Sequence, residues 1–402
     1  VNKIGMIKML QGLKVLDLTT VVLGPFLTQI LGDFGAEVIK VESLQGDIYR
    51  GVHPQKNKNM GAGFLNCNRN KKSIAIDIKK KEGLKIIKKL IASSDVFVHN
   101  MRLSSIHRLG LSYKEVSEIN PTIIYCSATG FSSSGLYKDK PAYDDIIQSI
   151  SGFADLSKDD IGNPKFVPSI ITDKISGLYA LNGILSALYH KNQTGKGVQL
   201  EVPMYESMVS FLLTEHLQGH IYDPPQGDLG YKRILSDYRK PHKTSDGYIT
   251  IMPYSYENWK QFLQLIGRND MVESTWLKNA TERSRRVDEL YKIIDDATPE
   301  YSTAYWISEL EKRDIPCSKV QALKDLINDP HLQEVSFFKT ISHPTEGNLT
   351  IPNQPVKING DYISEYKPVP CLGEQTFEIL ENLQYSNAEI RELEKNNIVK
   401  SF

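Results

Sequence analysis

Asp173 opens the stretch around which the chain is organised, Val167 to Pro203 (VPSIITDKISGLYALNGILSALYHKNQTGKGVQLEVP). After it, Ile175, Leu178, Leu181, Leu185 and Leu188 recur at three- and four-residue steps, which predicts an amphipathic helix whose apolar face they form. Gly195 stops that helix, and Val198, Leu200 and Val202 alternate as a half-buried strand. Asp173 therefore stands at or beside the helix's first turn, where free N–H groups favour an anion. A carboxylate held there stays ionised, which suits a nucleophile, because only the ionised form attacks a carbonyl carbon. Aspartate is also among the commonest N-caps, and most such aspartates do nothing else. On the same helix Ser176, Ala180, Gly183 and Ala187 make a stripe of small residues, across which another backbone can approach closely.

Two further places offer charge for an anion. Asn68 to Lys72 (NRNKK) is a basic turn, either a solvated turn or a phosphate site. His99-Asn100-Met101-Arg102 follows a short strand, Val96 to Val98, at its C-terminal end, where open parallel sheets bind ligands. The guanidinium groups of Arg102 and Arg108 suit phosphate.

The elements that must position these residues are legible in outline. Lys14 to Thr19 reads as a strand, Gly24 to Phe34 as a helix with Pro25 at its first position, and Glu37 to Glu42 as a strand. That βαβ unit implies a parallel sheet. The turn from Thr19 to Pro25 lacks G-x-G-x-x-G, so dinucleotide binding is unsupported, although Glu42 ends its strand as an acidic ribose binder would. Ser73 to Ile78 and Thr122 to Ser127 read as strands, Glu82 to Ile91 and Asp144 to Phe153 as helices. To Val202 this is one α/β domain. Ile221 to Tyr238 is rich in Gly, Pro and Asp and reads as a linker. Strands near 248–252 and 318–320, with helices between, make a small α+β domain. The expected divisions are 1–220, 221–335 and 336–402.

At 402 residues the chain exceeds one usual core, so two domains are expected. Lys plus Arg equals Asp plus Glu at 48 each, which gives no support to nucleic-acid or bulk membrane binding. No apolar run reaches the length of a membrane span, and Val1 to Met9 is no secretory signal. Cys67, Cys126, Cys317 and Cys371 show no C-x-x-C spacing, which argues against a zinc site or disulfide framework and for a reducing compartment. A cytoplasmic protein is expected.

Eight segments in order resemble the class III CoA-transferases, the family of formyl-CoA:oxalate and carnitine CoA-transferases and their relative α-methylacyl-CoA racemase. They include GLKVLDLTTVVLGPFLTQILGDFGAEVIKVE, NRNKKSIAIDIK, DVFVHNMRLSSIHRLGLSY, INPTIIYCSATGFSSSG, PAYDDIIQSISG and TDKISGLYALNGILSALYHKNQTGKG, and span Leu10 to Val399. The resemblance implies a Rossmann-like open parallel sheet completed by the C-terminal segment, a small α+β domain inserted into it, and an interlocked homodimer. It places the nucleophile on Asp173, and CoA contacts on Val21, Val22, Leu23, Ile76, Lys79, Asn100, Met101, Arg102, Arg108 and Tyr143. The implied reaction is CoA transfer from an acyl-CoA donor to a small carboxylic acid, through an aspartyl anhydride and an aspartyl-CoA thioester. Coenzyme A enters as substrate; no metal and no tightly bound cofactor are expected. The Arg69/Lys71/Lys72 turn would add phosphate charge.

Three departures narrow the reading. Ser43 stands where many members have Arg. Val22 stands where the oxalate enzymes have Gln, and their glycine-rich flap is not visible, which argues against oxalate as acceptor. Two alternatives are a racemase and a CoA-binding homologue without turnover. The racemases place a His-Asp pair where this chain has Tyr143-Asp144, which favours the transferase unless a distant histidine such as His190 or His242 folds into the site.

Overall fold

A computed structural model describes residues 8–159, 161–363 and 365–402. Most of the Val1 to Met9 segment lies outside them. The chain divides into two compact units: one runs to Leu212 and resumes at Val335, and the other is Leu213–Glu334.

The first unit is built on β1 (Lys14–Leu18), α1 (Leu23–Asp33), β2 (Glu37–Glu42), β3 (Lys71–Ile76), α2 (Lys81–Ala92), β4 (Val96–His99), α3 (Leu103–Arg108), β5 (Ile124–Thr129), α4 (Asp144–Ile150), α5 (Ile171–Thr194), β6 (Val198–Pro203) and the part of α6 (Met204–His216) up to Leu212. Helix α1 starts one residue earlier than the sequence predicts, so Pro25 is its third residue rather than its first. Helix α4 ends early, before Gly152 at φ +90°.

The strands β1 to β6 are parallel, in the order 3-2-1-4-5-6. The order reverses between β1 and β4, and ligands bind outside the strand ends at such a switch. The strands are apolar on both faces. In β1, Val15 joins Leu27, Val96 and Ile184 on one side, and Leu16 joins Ile74, Ile86 and Phe97 on the other. Burial on both faces is what permits a parallel sheet.

Helix α5 corrects the reading of its own sequence. Leu178 and Leu185 are exposed, and the face turned to α1 and the sheet carries Ser176, Gly177, Ala180, Ile184 and Ala187. The small residues let the helix sit close: a Cβ on Gly177 would lie 2.9 Å from the Leu23 carbonyl oxygen. The small-residue stripe is therefore spent inside the chain, and a leucine and tyrosine face is left uncovered.

After the second unit the chain forms a hairpin, Phe338–His343 with Gly347–Pro352, and two helices, Thr376–Asn382 and Asn387–Lys395. The last strand, Val399–Lys400, pairs antiparallel with β3 and completes a seven-stranded sheet. The second unit has a three-stranded antiparallel sheet of His242–Lys243, Tyr248–Ile251 and Cys317–Lys319. Trp259, Phe262, Ile294, Trp306 and Leu310 fill its core.

Candidate active site

The switch point between β1 and β4 is pinned by one reciprocal pair. The Thr20 N–H donates to Asn100 Oδ1 at 3.0 Å, and Asn100 Nδ2 donates to the Thr20 carbonyl at 2.9 Å. Two clefts meet there and share Thr20, Asn100 and Met101. One, of about 410 Å3, lies over the ends of β1, β2 and β3 and is lined by Val41, Ser43, Ile76 and Lys79. The other, of about 380 Å3, runs past Val21, Leu23, Arg102, Lys138, Lys140 and Tyr143 to Asp173. Of the eleven residues assigned by resemblance, Asp173, Val21, Leu23, Asn100, Met101, Arg102 and Tyr143 line the second cleft, and Ile76 and Lys79 the first. Two do not line either. Val22 is buried at the start of α1, and Arg108 is exposed and donates to Ser105 Oγ at 3.4 Å.

Asp173 is nearly buried, at 9 % exposure. It is the third residue of α5, but the free amides of that helix do not serve it. Asp144 Oδ1 takes the Thr172 N–H at 2.7 Å, the Asp173 N–H at 3.2 Å and the Thr172 hydroxyl at 2.8 Å. Gln148 Nε2 holds the other Asp144 oxygen at 2.7 Å. Asp144 therefore caps α5 from α4. The help the Asp173 carboxylate does receive comes from the Leu23 amide, at the first residue of α1, which favours its ionised form. That single donor does not offset the rest. Burial pushes the Asp173 carboxyl up, the neighbouring Asp144 adds to it, and the result is a pKa of about 7. The expectation that Asp173 stays firmly ionised is thus corrected: the amides that would have kept it so are spent on Asp144.

The basic turn is corrected too. Arg69 forms a fork on Asp33, at 2.9 and 2.7 Å. Lys71 is buried against Asp17 (3.1 Å), the Pro25 carbonyl (2.9 Å) and Asn68 Oδ1 (2.8 Å). Lys72 bridges Glu37 and Glu378, both at 2.8 Å. All three cations brace the fold, and none is left for phosphate. Burial opposes ionisation of Asp17, yet Lys71 and Lys40 bring it down to about 2. Glu42 is no ribose binder: Arg50 grips it at 2.6 and 2.8 Å, and the Ser73 hydroxyl takes one of the same oxygens at 2.6 Å.

The sequence reading missed Asp144, Lys138 and Lys140. The lysines stand on the loop after β5, where Gly130 and Ala142 close on each other and Glu201 holds Ser133. Lys140 lies 4.1 Å from the Tyr137 ring centre. Among the described residues, no histidine lines the cleft of Asp173. His99 is buried, its Nε2 is 2.8 Å from the Tyr125 hydroxyl, and burial lowers its pKa to about 4. His190 is bound to Thr194 on the last turn of α5, and His242 to Asp295 in the second unit. The described residues hold no cluster of His, Cys, Asp or Glu that would take a metal, and no helix long and apolar enough to cross a membrane.

A doubly wound sheet with clefts at its switch point, one of them holding a buried carboxyl, is an arrangement on which α/β enzymes bind their ligands. Residues 10–376 match the model of CoA-transferase family III, and the chain belongs to that family. Its relatives are named for CoA transfer. Human succinyl-CoA:glutarate CoA-transferase is 33% identical over 98% of this chain and 90% of its own length. The (R)-2-hydroxy-4-methylpentanoate CoA-transferase of Clostridioides difficile is 28% identical over 98% of this chain and 100% of its own. Among solved structures, Rv3272 from M. tuberculosis aligns with a TM-score of 0.80 at 25% identity, covering 92% of this chain and 98% of that one. A CaiB/BaiF family protein from Brucella suis gives 0.78 at 27%, covering 93% and 99%.

Proposed function

We propose that this CoA-transferase moves coenzyme A between dicarboxylic acids, with Asp173 as the covalent nucleophile. The observation that carries the reading is the buried Asp173 carboxyl at the end of two joined clefts, lined by nine of the eleven residues that the family resemblance assigns. The dicarboxylate class follows the naming of the 33% identical human relative.

CoA lies along the joined clefts with its thioester at Asp173. Lys79, Arg102, Lys138 and Lys140 supply the phosphate charge that the braced basic turn cannot. Arg108, outside both clefts, contributes less than Arg102. The ionised Asp173 attacks the thioester carbonyl, the C–S bond breaks, and CoA leaves as thiolate. The thiolate then attacks Cγ of Asp173, releases the donor acid as carboxylate, and forms an aspartyl-CoA thioester. An acceptor carboxylate attacks the same carbon and expels the thiolate, giving a second anhydride. Attack of the thiolate on the acceptor's acyl carbon yields new acyl-CoA and restores Asp173. Each step exchanges one anionic leaving group for another, and no net proton is needed.

Racemisation needs proton-transfer groups on both faces of the alpha carbon. The cleft offers no histidine opposite Asp173, which favours transfer. One experiment separates the two: succinyl-CoA with glutarate, then a 2-methylacyl-CoA in D2O without acceptor, both read by mass spectrometry. Glutaryl-CoA should form, oxalate should accept poorly, and no deuterium should enter the alpha carbon. Rapid alpha-deuteration without transfer would make the protein a racemase.

The assembly we propose is the interlocked homodimer. The uncovered face of α5, with Leu178, Leu185 and Tyr189 at 44, 38 and 69 % exposure, supports it. Sedimentation at micromolar concentration should give twice the 45.5 kDa chain mass. A monomer there would refute the dimer.

A further inference from the structure

The turn between β1 and α1 lines both clefts, yet it has no glycine until Gly24. Side chains from other strand ends hold its backbone instead. Lys40 Nζ donates to the Thr19 carbonyl at 2.8 Å. Asn100 holds Thr20 from both sides. The Val21 N–H donates to both oxygens of Asp47, each at 3.2 Å. Two residues on, Leu23 lines the same cleft as Asp173, and its amide favours the Asp173 carboxylate.

Val21 sits at φ +70°. A β-branched residue is rarely found there, and the surroundings must supply what holding it costs. Asp47 is placed to do so. It is buried, its Oδ2 is 3.0 Å from Lys40 Nζ, and neither side chain has any exposed surface. Its own N–H is tied to Glu42 Oε2 at 3.1 Å, and its Oδ1 also takes the Tyr49 N–H at 3.0 Å. Such a pair is costly to break and fixed in place.

We infer that Asp47 is a positioning residue for CoA transfer: it holds Val21 in the left-handed turn that aims the Leu23 N–H at the carboxyl of Asp173, and Lys40 holds Asp47. The inference rests on Asp173 being the nucleophile. The aimed amide has two uses. It favours the carboxylate against burial and Asp144. A donor fixed beside that carboxyl would also stabilise the oxyanion that forms when Cγ is attacked. The other charged or titratable groups around Asp173 are Tyr49 and the cleft's Arg102, Lys138, Lys140, Tyr143 and Asp145, and the substitutions below leave them all in place.

Asp47→Asn tests this in the full-length protein. The expected result is a cooperative melt, a kcat lowered by about 10²-fold through the misplaced amide, a KM for acyl-CoA changed by less than about threefold on the same ground, and a pH midpoint of kcat/KM shifted upward. Adding Val21→Gly should restore most of the kcat and the original midpoint, because glycine takes the positive φ without help. If Asp47→Asn unfolds because Lys40 is left unpaired, Lys40→Met/Asp47→Asn removes that charge and should fold with the same loss. A folded variant with the original kcat and midpoint overturns the inference, as does a folded, impaired variant that Val21→Gly does not rescue. An active Asp173→Ala enzyme would instead overturn the nucleophile, so the two failures are distinguishable.

Discussion

Asp173→Ala should abolish CoA transfer while leaving acyl-CoA binding nearly intact. Loss of a covalent nucleophile removes the step itself, so a fall of at least about 10³-fold in kcat is expected. The Kd for CoA should change little, because in the proposed pose Asp173 meets the thioester and Lys79, Arg102, Lys138 and Lys140 meet the phosphates. Arg102→Ala should do the reverse, raising the KM for acyl-CoA more than it lowers kcat. Donor alone should leave a hydroxylamine-sensitive acyl or CoA adduct on the peptide carrying Asp173 of the unsubstituted enzyme. Full turnover by Asp173→Ala would end the nucleophile assignment.

Why part of this site could be read from the sequence, and part could not, is a matter of range. The β1–α1–β2 unit is written in consecutive residues: an apolar run, a helix with Pro25 near its start, a second apolar run. The residues we propose as nucleophile and CoA contacts fall in segments that the resemblance covers. What failed depends on partners far along the chain. NRNKK reads as free charge until Asp33, Asp17 and Glu37 arrive, 36, 54 and 35 residues away. Asp173 reads as served by its own helix until Asp144 takes those amides from 28 and 29 residues upstream. Helix α5 misled in another way. Leu178 and Leu185 promised the core as much as Leu181 did, but the face that meets α1 and the sheet runs through Ser176, Gly177, Ala180, Ile184 and Ala187, and those two leucines turn outward. Asp47 sits in a stretch that reads only as a polar loop, and nothing local marks it as the partner of Val21.

The raised pKa of Asp173 has consequences for both rate and stability. Only the ionised carboxyl attacks, so kcat/KM should rise about tenfold per pH unit below about 7 and level off above it. For stability, a carboxyl raised from 3.8 to about 7 is protonated in the folded chain over a range where the unfolded chain has already lost its proton. The folded state binds more protons there, so this group's contribution to stability is fully present below pH 3.8 and is lost as pH rises through about 7. Above that, the ionised, buried Asp173 costs on the order of 2–4 kcal/mol. Asp173→Asn keeps the shape and removes the charge. It should therefore melt with the parent protein near pH 4 and at a higher temperature near pH 8, while losing transfer at both. An Asn variant no more stable than the parent at pH 8 would show that Asp173 is not held against its own ionisation. The expected gain is the stability that the fold gives up to keep a reactive carboxylate beside Asp144 in a nearly dry cleft.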